Sequence, residues 1–144
     1  RANPLMPIKE TIASILADLG AFTDPLERLE YLVDHARAMS PLPESDKIEA
    51  NRIEGCMAQL WLTSSFAEGV CHFHSDSDSL VVKSIAGLLC DVYDGATPQE
   101  VLEHPPEFLA EAGITSHLSA NRRNALTQVW KKIRAFAEAN RTSS

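Results

Sequence analysis

Cys56 stands in the run N-R-I-E-G-C-M-A-Q-L-W at 51–61, directly after a glycine and between a charged loop and an apolar stretch. A cysteine thiolate is a nucleophile and a metal ligand, and at a loop-to-strand junction it can be reached from outside. Gly55 lets the main chain turn without a Cβ penalty and leaves room for an approaching partner. No other cysteine or histidine lies within ten residues of Cys56, so its own stretch supplies neither a second ligand nor a general base. Cys71 and Cys90 follow at intervals of 15 and 19 residues, with no C-x-x-C pair, which argues against a zinc ribbon or a dithiol redox motif.

The remaining chemistry-bearing residues form weaker patterns. His72 and His74 flank Phe73 and would share one strand face. Two imidazoles can begin a metal site, but no third ligand stands at a recognisable spacing, and an exposed polar face is the simpler account. A Cys-His hydrolase would need a distant histidine folded against Cys56. Neither G-x-x-x-x-G-K-[ST] nor G-x-G-x-x-G occurs. Arg122, Arg123, Lys131, Lys132 and Arg134 give the last helix a basic side, read as a solvated face.

The elements that must position these residues follow from periodicity and caps. Ile8, Ile12, Ile15, Leu16 and Leu19 recur at helical spacing up to Gly20. Asp24 and Pro25 start a second helix with Leu26, Leu29, Leu32, Val33 and Ala36 on one face, ending before Pro41. A polar loop over 41–50 leads to two β-rich segments, A-Q-L-W-L-T and G-V-C-H-F-H, joined by F-A-E-G as a hairpin. A strand continued back through 56 would put Cys56 on the face of Ala58, Leu60 and Leu62, sheltering the thiol and raising its pKa.

Ser77 or Asp76 then caps a long helix with acidic residues in its first turn. Its Leu80, Val81, Val82, Ile85, Leu88, Leu89 and Val92 mark it as the central buried helix, ended by Gly95. Cys90 falls within it and Cys71 within a strand, both as small apolar fillers. Thr97-Pro98-Gln99-Glu100 is a capping box. Pro105-Pro106 opens a further helix closed by Gly113. Ser119 caps the last one, striped by Leu126, Val129, Trp130, Ile133 and Phe136. Helices around one small antiparallel sheet, without β-α-β alternation, make the fold class α+β.

Length and composition bound the partners. The 144 residues suit one domain, taken as 1–144 with a core of about 8–138. A net charge of −7 and a pI near 5.1 argue against nucleic acid or anionic lipid. No apolar run approaches the roughly 20 residues a membrane helix needs. The N-terminal R-A-N-P-L-M-P lacks a secretory pattern, and an odd cysteine count without one points to reduced thiols and a cytoplasmic setting. A start at Arg1 rather than Met suggests trimming, an expression scar or a removed leader; the last would allow an organellar stroma.

N-R-I-E-G-C-M-A-Q-L-W-L closely resembles the signature of the SufE family, sulfur acceptors for cysteine desulfurases in iron–sulfur cluster assembly. Three further blocks keep that family's order: D-S-D-S-L-V-V-K at 76–83, D-G-A-T-P-Q-E-V at 94–101 and H-L-S-A-N-R-R-N-A-L at 117–126. The resemblance covers about 8–138. It implies that Cys56 accepts sulfane sulfur as a persulfide by exchange chemistry. It implies a cysteine desulfurase partner (SufS- or CsdA-like), a downstream SufBCD-type scaffold or other sulfur acceptor, and no cofactor of the chain's own, since pyridoxal phosphate belongs to the desulfurase. Such a chain is a sulfur carrier and desulfurase activator rather than a stand-alone enzyme. By the same resemblance Asp78, Lys83 and Arg122 surround the active loop or docking surface, beside Gly55. The implied fold, a small antiparallel sheet packed with helices and related to the iron–sulfur scaffold proteins, matches the α+β class.

The chain departs from that pattern in two places. Ser84 stands where many relatives have glycine, and Arg122-Arg123-Asn124-Ala125 where R-S-Q-G is usual, Arg123 adding a charge that could alter partner preference. Two other functions compete: a cluster scaffold, which needs several converging thiolates, and a non-covalent docking regulator of a desulfurase.

Overall fold

The structure, a computed structural model, describes residues 7–141. The domain limits expected at 1 and 144 lie outside the described residues. Two amphipathic helices come first, α1 (Ile8–Gly20) and α2 (Pro25–Arg37). The Asp24 side chain accepts from the Leu26 N–H and Pro25 follows at the first helical position, which fixes where α2 begins. Its buried face is narrower than the periodicity implies: Leu32 and Ala36 are buried, whereas Leu26 is 52% exposed.

The hairpin is β1 (Leu60–Ala67) and β2 (Val70–Ser77), antiparallel, with Leu60 opposite Ser77 and Ala67 opposite Val70. Glu68 and Gly69 both have positive φ, 54° and 80°, as a two-residue turn matched to strand twist requires. Leu60 and Leu62 of β1 and Cys71 and Phe73 of β2 face the core. β1 begins at Leu60, not at Ala58, so the parity argument that placed Cys56 on the strand's core face does not apply.

α3 (Leu80–Tyr93) packs across β2 and α2 and is the central helix expected, with Val82, Ile85, Leu88, Leu89 and Val92 buried. Its N-cap is Ser79, whose hydroxyl accepts from the Val82 N–H, and no acidic residue lies in its first turn. Ser77 and Asp76 do not cap it because they are engaged elsewhere: Ser77 ends β2 and Asp76 is buried in an ion cluster. Ser84, where a glycine is usual, is buried with its hydroxyl donating to the Val81 carbonyl at 2.6 Å. Gly87 is needed for contact, since a Cβ there would come within 2.7 Å of the Met39 sulfur.

α4 (Pro98–Glu103) carries the complete Thr97–Glu100 capping box. The next helix is a single turn, α5 (Phe108–Glu111), followed by a 3-10 turn at Thr115–His117 that the sequence did not suggest. α6 (Ala120–Ala139), capped by Ser119, packs on α3 and α4. Its buried line is Ala125, Val129, Ile133 and Ala137; Leu126, Trp130 and Phe136 are only half-buried. The alanines let α6 approach closely, so its larger side chains flank the contact. Phe136 meets Phe73 edge-on at 5.7 Å and Trp130 stacks obliquely on Tyr93 at 5.3 Å.

Candidate functional site around Cys56

Residues 54–59 form a short loop between the 3-10 turn Glu49–Asn51 and β1. Its base is closed by the Ile53 N–H donating to the Leu60 carbonyl at 2.8 Å. Gly55 has φ +82°, a left-handed conformation that a side chain would strain. Space is not the reason for glycine here: an added Cβ would meet nothing nearer than Gln128 Cδ at 4.0 Å.

Side chains from two other elements hold the loop's shoulders. On the far side, the Gln59 N–H donates to Asp78 Oδ1 at 2.9 Å. The Gln59 carbonyl accepts from Ser77 Oγ at 2.7 Å and from the Asp78 N–H at 3.2 Å. On the near side, Asn124 Nδ2 of α6 donates to the Gly55 carbonyl at 2.5 Å. A carbonyl only accepts, so the amide nitrogen must face it.

Cys56 lies half-buried between these shoulders, on the wall of an open cavity of about 360 Å³ shared with Met57, Ala58, Ser79, Val82, Ser119, Asn121, Arg122 and Ala125. Burial pushes the Cys56 thiol above its ordinary pKa, because a sulfur partly withdrawn from water is poorly solvated as a thiolate. The shelter expected from strand parity is present, but α3 and α6 provide it. Among the described residues no histidine and no carboxylate lines the cavity, so none of them forms the Cys-His arrangement there. Met57 projects outward and is 84% exposed.

The sequence-derived site residues separate into two places. Cys56 and Arg122 meet at the cavity, with Gly55 just before Cys56 in the loop and Asp78 holding the loop's other shoulder. The exposed Arg122 guanidinium forms no ion pair among the described residues. Arg123 instead donates to the Leu118 carbonyl at 2.6 Å. Lys83 points elsewhere: its ammonium donates to the Met39 carbonyl at 3.2 Å and lies 3.7 Å from Asp76. Asp76 also meets Lys47 at 3.4 Å and accepts from the N–H groups of Leu42 and Ser77. Lys83 therefore fastens the loop before the Cys56 segment to the body and does not line the cavity.

The other thiols lie in the core. Cys71 and Cys90 are buried, and burial raises them to about 11 and about 12 respectively. His72 pairs with Asp94 at 3.2 Å, and among the described residues no three His, Cys, Asp or Glu groups are placed to hold a metal ion. The sequence reading missed Asn124 as a loop contact. Its signal was the polar amide two positions after Arg122, noted only as a departure from R-S-Q-G.

The family model for the SufE Fe-S metabolism associated domain matches residues 13–137 of this chain. The chain belongs to the SufE family. Membership associates it with Fe-S metabolism. An uncharacterized SufE-like protein of Synechocystis sp. is 31% identical over 138 residues, spanning 96% of this SufE chain and 86% of that one. The chloroplastic SufE-like protein 2 of Arabidopsis thaliana is 35% identical over 83% of this chain, which spans 45% of its length. A chloroplastic quinolinate synthase of the same plant is 36% identical over 79% of the chain, and there the chain spans 16% of the longer protein. The solution structure of a hypothetical protein from Thermus thermophilus superposes with a TM-score of 0.71 over 93% of this chain and 95% of that one, at 21% identity, so the α+β fold is shared. No helix among the described residues is long and apolar enough to cross a membrane.

Proposed function

We propose that this SufE chain accepts sulfane sulfur on Cys56 from a pyridoxal-phosphate-dependent cysteine desulfurase, relieves that enzyme of its persulfide, and hands the sulfur on for iron–sulfur cluster assembly. The observation that carries the reading is the contrast among three thiols: Cys71 and Cys90 are buried in regular elements, Cys90 at the edge of a separate cavity, while Cys56 is half-buried on a turned loop beside its own open cavity. In the exchange, the Cys56 thiolate attacks the outer sulfur of the donor's cysteine persulfide. The donor's sulfur–sulfur bond breaks, its cysteine leaves as a thiolate, and a new sulfur–sulfur bond stands on Cys56. The proton lost by Cys56 balances the one the departing thiolate regains, and no outside oxidant is required. The donor enzyme supplies the pyridoxal phosphate; this chain uses Cys56 and its surroundings alone.

Arg122 at the cavity offers a cationic neighbour to an anionic persulfide or to an acidic partner surface. The downstream recipient is a SufBCD-type scaffold or another sulfur acceptor, in the cytoplasm or an organellar stroma. A cluster scaffold draws no support from the thiols, which do not converge with one another or with other ligands among the described residues.

The test is incubation with a cysteine desulfurase, pyridoxal phosphate and cysteine, followed by mass spectrometry. The expected result is a gain of about 32 Da, one sulfur per exchanged thiol, on the peptide containing Cys56 and absent from Cys56→Ser. A gain that persists unchanged in Cys56→Ser sinks the proposal. Full desulfurase stimulation by Cys56→Ser would instead favour a non-covalent docking regulator.

A further inference from the structure

The two shoulders of the Cys56 loop are held unequally. Gln59 is fixed by three hydrogen bonds from the β2–α3 junction. Among the described residues, by contrast, no side chain other than Asn124 hydrogen-bonds the main chain of residues 54–58, and its bond to the Gly55 carbonyl is exposed. Asn124 also sits where a partner approaching the thiol would arrive. It stands in the first turns of α6 between Arg122 and the buried Ala125, both of which line the Cys56 cavity.

We propose that Asn124 is a positioning residue that latches the Cys56 loop against α6, so that breaking this one bond frees the Gly55 shoulder and lets the thiol leave its cavity while Gln59 stays anchored. The carbonyl it holds belongs to the residue immediately before Cys56, so the latch controls the direction of the Cys56 Cα–Cβ bond without touching the sulfur. Gly55 suits the hinge because its left-handed conformation and a range of neighbouring ones carry no Cβ penalty. An exposed single hydrogen bond is weak enough to open thermally and strong enough to bias the closed state.

The proposal rests on the sulfur-acceptor reading for its consequence, but its test has an arm that needs no partner. The alkylation rate of Cys56 by iodoacetamide is measured on the full chain by mass spectrometry, for the parent, Asn124→Ala and Asn124→Gln. Loss of the latch in Asn124→Ala should raise the rate about three- to tenfold, with the melting temperature lowered by no more than about 5 °C, what one such bond accounts for. Asn124→Gln, which keeps the donor, should return it toward the parent. In the second arm, with a desulfurase and cysteine, Asn124→Ala should change the rate of sulfur arrival on Cys56 while Asn124→Gln stays near the parent. Equal alkylation of parent and Asn124→Ala overturns the latch. A rise that accompanies a fall in melting temperature much larger than about 5 °C, beyond what one hydrogen bond accounts for, or that Asn124→Gln does not reverse, also overturns it, because general loosening would then account for the rate. Failure of the parent itself to acquire sulfur in the second arm would strike the proposed function and leave the alkylation result standing.

Discussion

At Cys56 the cost of burial decides which protonation state rests in the cavity. Val82, Ala58 and Ala125 keep water from part of the sulfur, and this burial is what raises the pKa, although Arg122 and polar side chains share the wall. The resting residue is therefore a protonated and slow thiol that gains nucleophilicity when it moves into water or beside a partner's cations. The pH dependence of iodoacetamide alkylation at Cys56 should accordingly show a midpoint above that of free cysteine, about 8.5. A midpoint at or below the free value would mean that the cavity does not govern the thiol.

At the scale of elements, the loop between α2 and β1 is tied by charge to β2 and α3, and the helices are fixed by caps. Burial by itself would push the Asp76 carboxyl up, but the N–H groups of Leu42 and Ser77 and the ammoniums of Lys83 and Lys47 outweigh it and hold the pKa below the usual carboxylate range. A depressed folded pKa contributes stability that is present above the unfolded value of about 3.9 and is lost as pH falls through the folded one. Asp76→Asn should thus cost about 1–3 kcal/mol at neutral pH and flatten the acid limb of urea-unfolding stability below about pH 4. An acid limb unchanged in the variant would assign that pH dependence to other carboxylates.

This cluster also explains part of what the sequence concealed. Helix stripes, the α4 capping box and the Asp24 and Ser119 caps were legible because each is a local pattern. The start of α3 was not, since D-S-D-S-L offers four polar candidates. Their division among an ion cluster, a loop clamp and a cap is settled by Leu42, Lys47 and Gln59, which are distant in the chain. The same limit applies at the site. Cys56 and Gly55 could be picked out from a contiguous motif. Asn124 lies 69 residues from the carbonyl it holds, and no spacing rule connects the two. Lys83 shared a block with Asp78, yet its place on the first turn of α3 aims it at the Met39 carbonyl, away from the loop that Asp78 holds.

Across the whole molecule, the core protects two thiols that its reactivity does not need. Cys71 at about 11 and Cys90 at about 12 keep their protons in the folded state well above the pH at which an unfolded thiol ionises. For a raised acid pKa the folded chain binds more protons than the unfolded one, so stability falls as pH rises from about 9 toward these values. Each thiol should contribute a slope approaching about 1.4 kcal/mol per pH unit, roughly one ionisation each. Urea unfolding between about pH 9 and 10.5 should show the decline, and Cys90→Ala should flatten the slope even if it lowers the level. An identical slope in parent and variant would remove Cys90 from the alkaline response.

That burial has a further consequence under oxidative stress. With Cys71 buried in the hairpin and Cys90 buried in α3 at the edge of a separate cavity, an oxidised Cys56 finds no resolving sulfur on its own cavity wall. A sulfenic acid formed there is quenched by a small thiol or by Cys56 of a second molecule, or else is carried on to sulfinic acid. The first two products, a mixed disulfide and a cross-linked pair, are reversible by ordinary reductants, whereas over-oxidation is not, and in none of these outcomes is the fold locked by an internal staple.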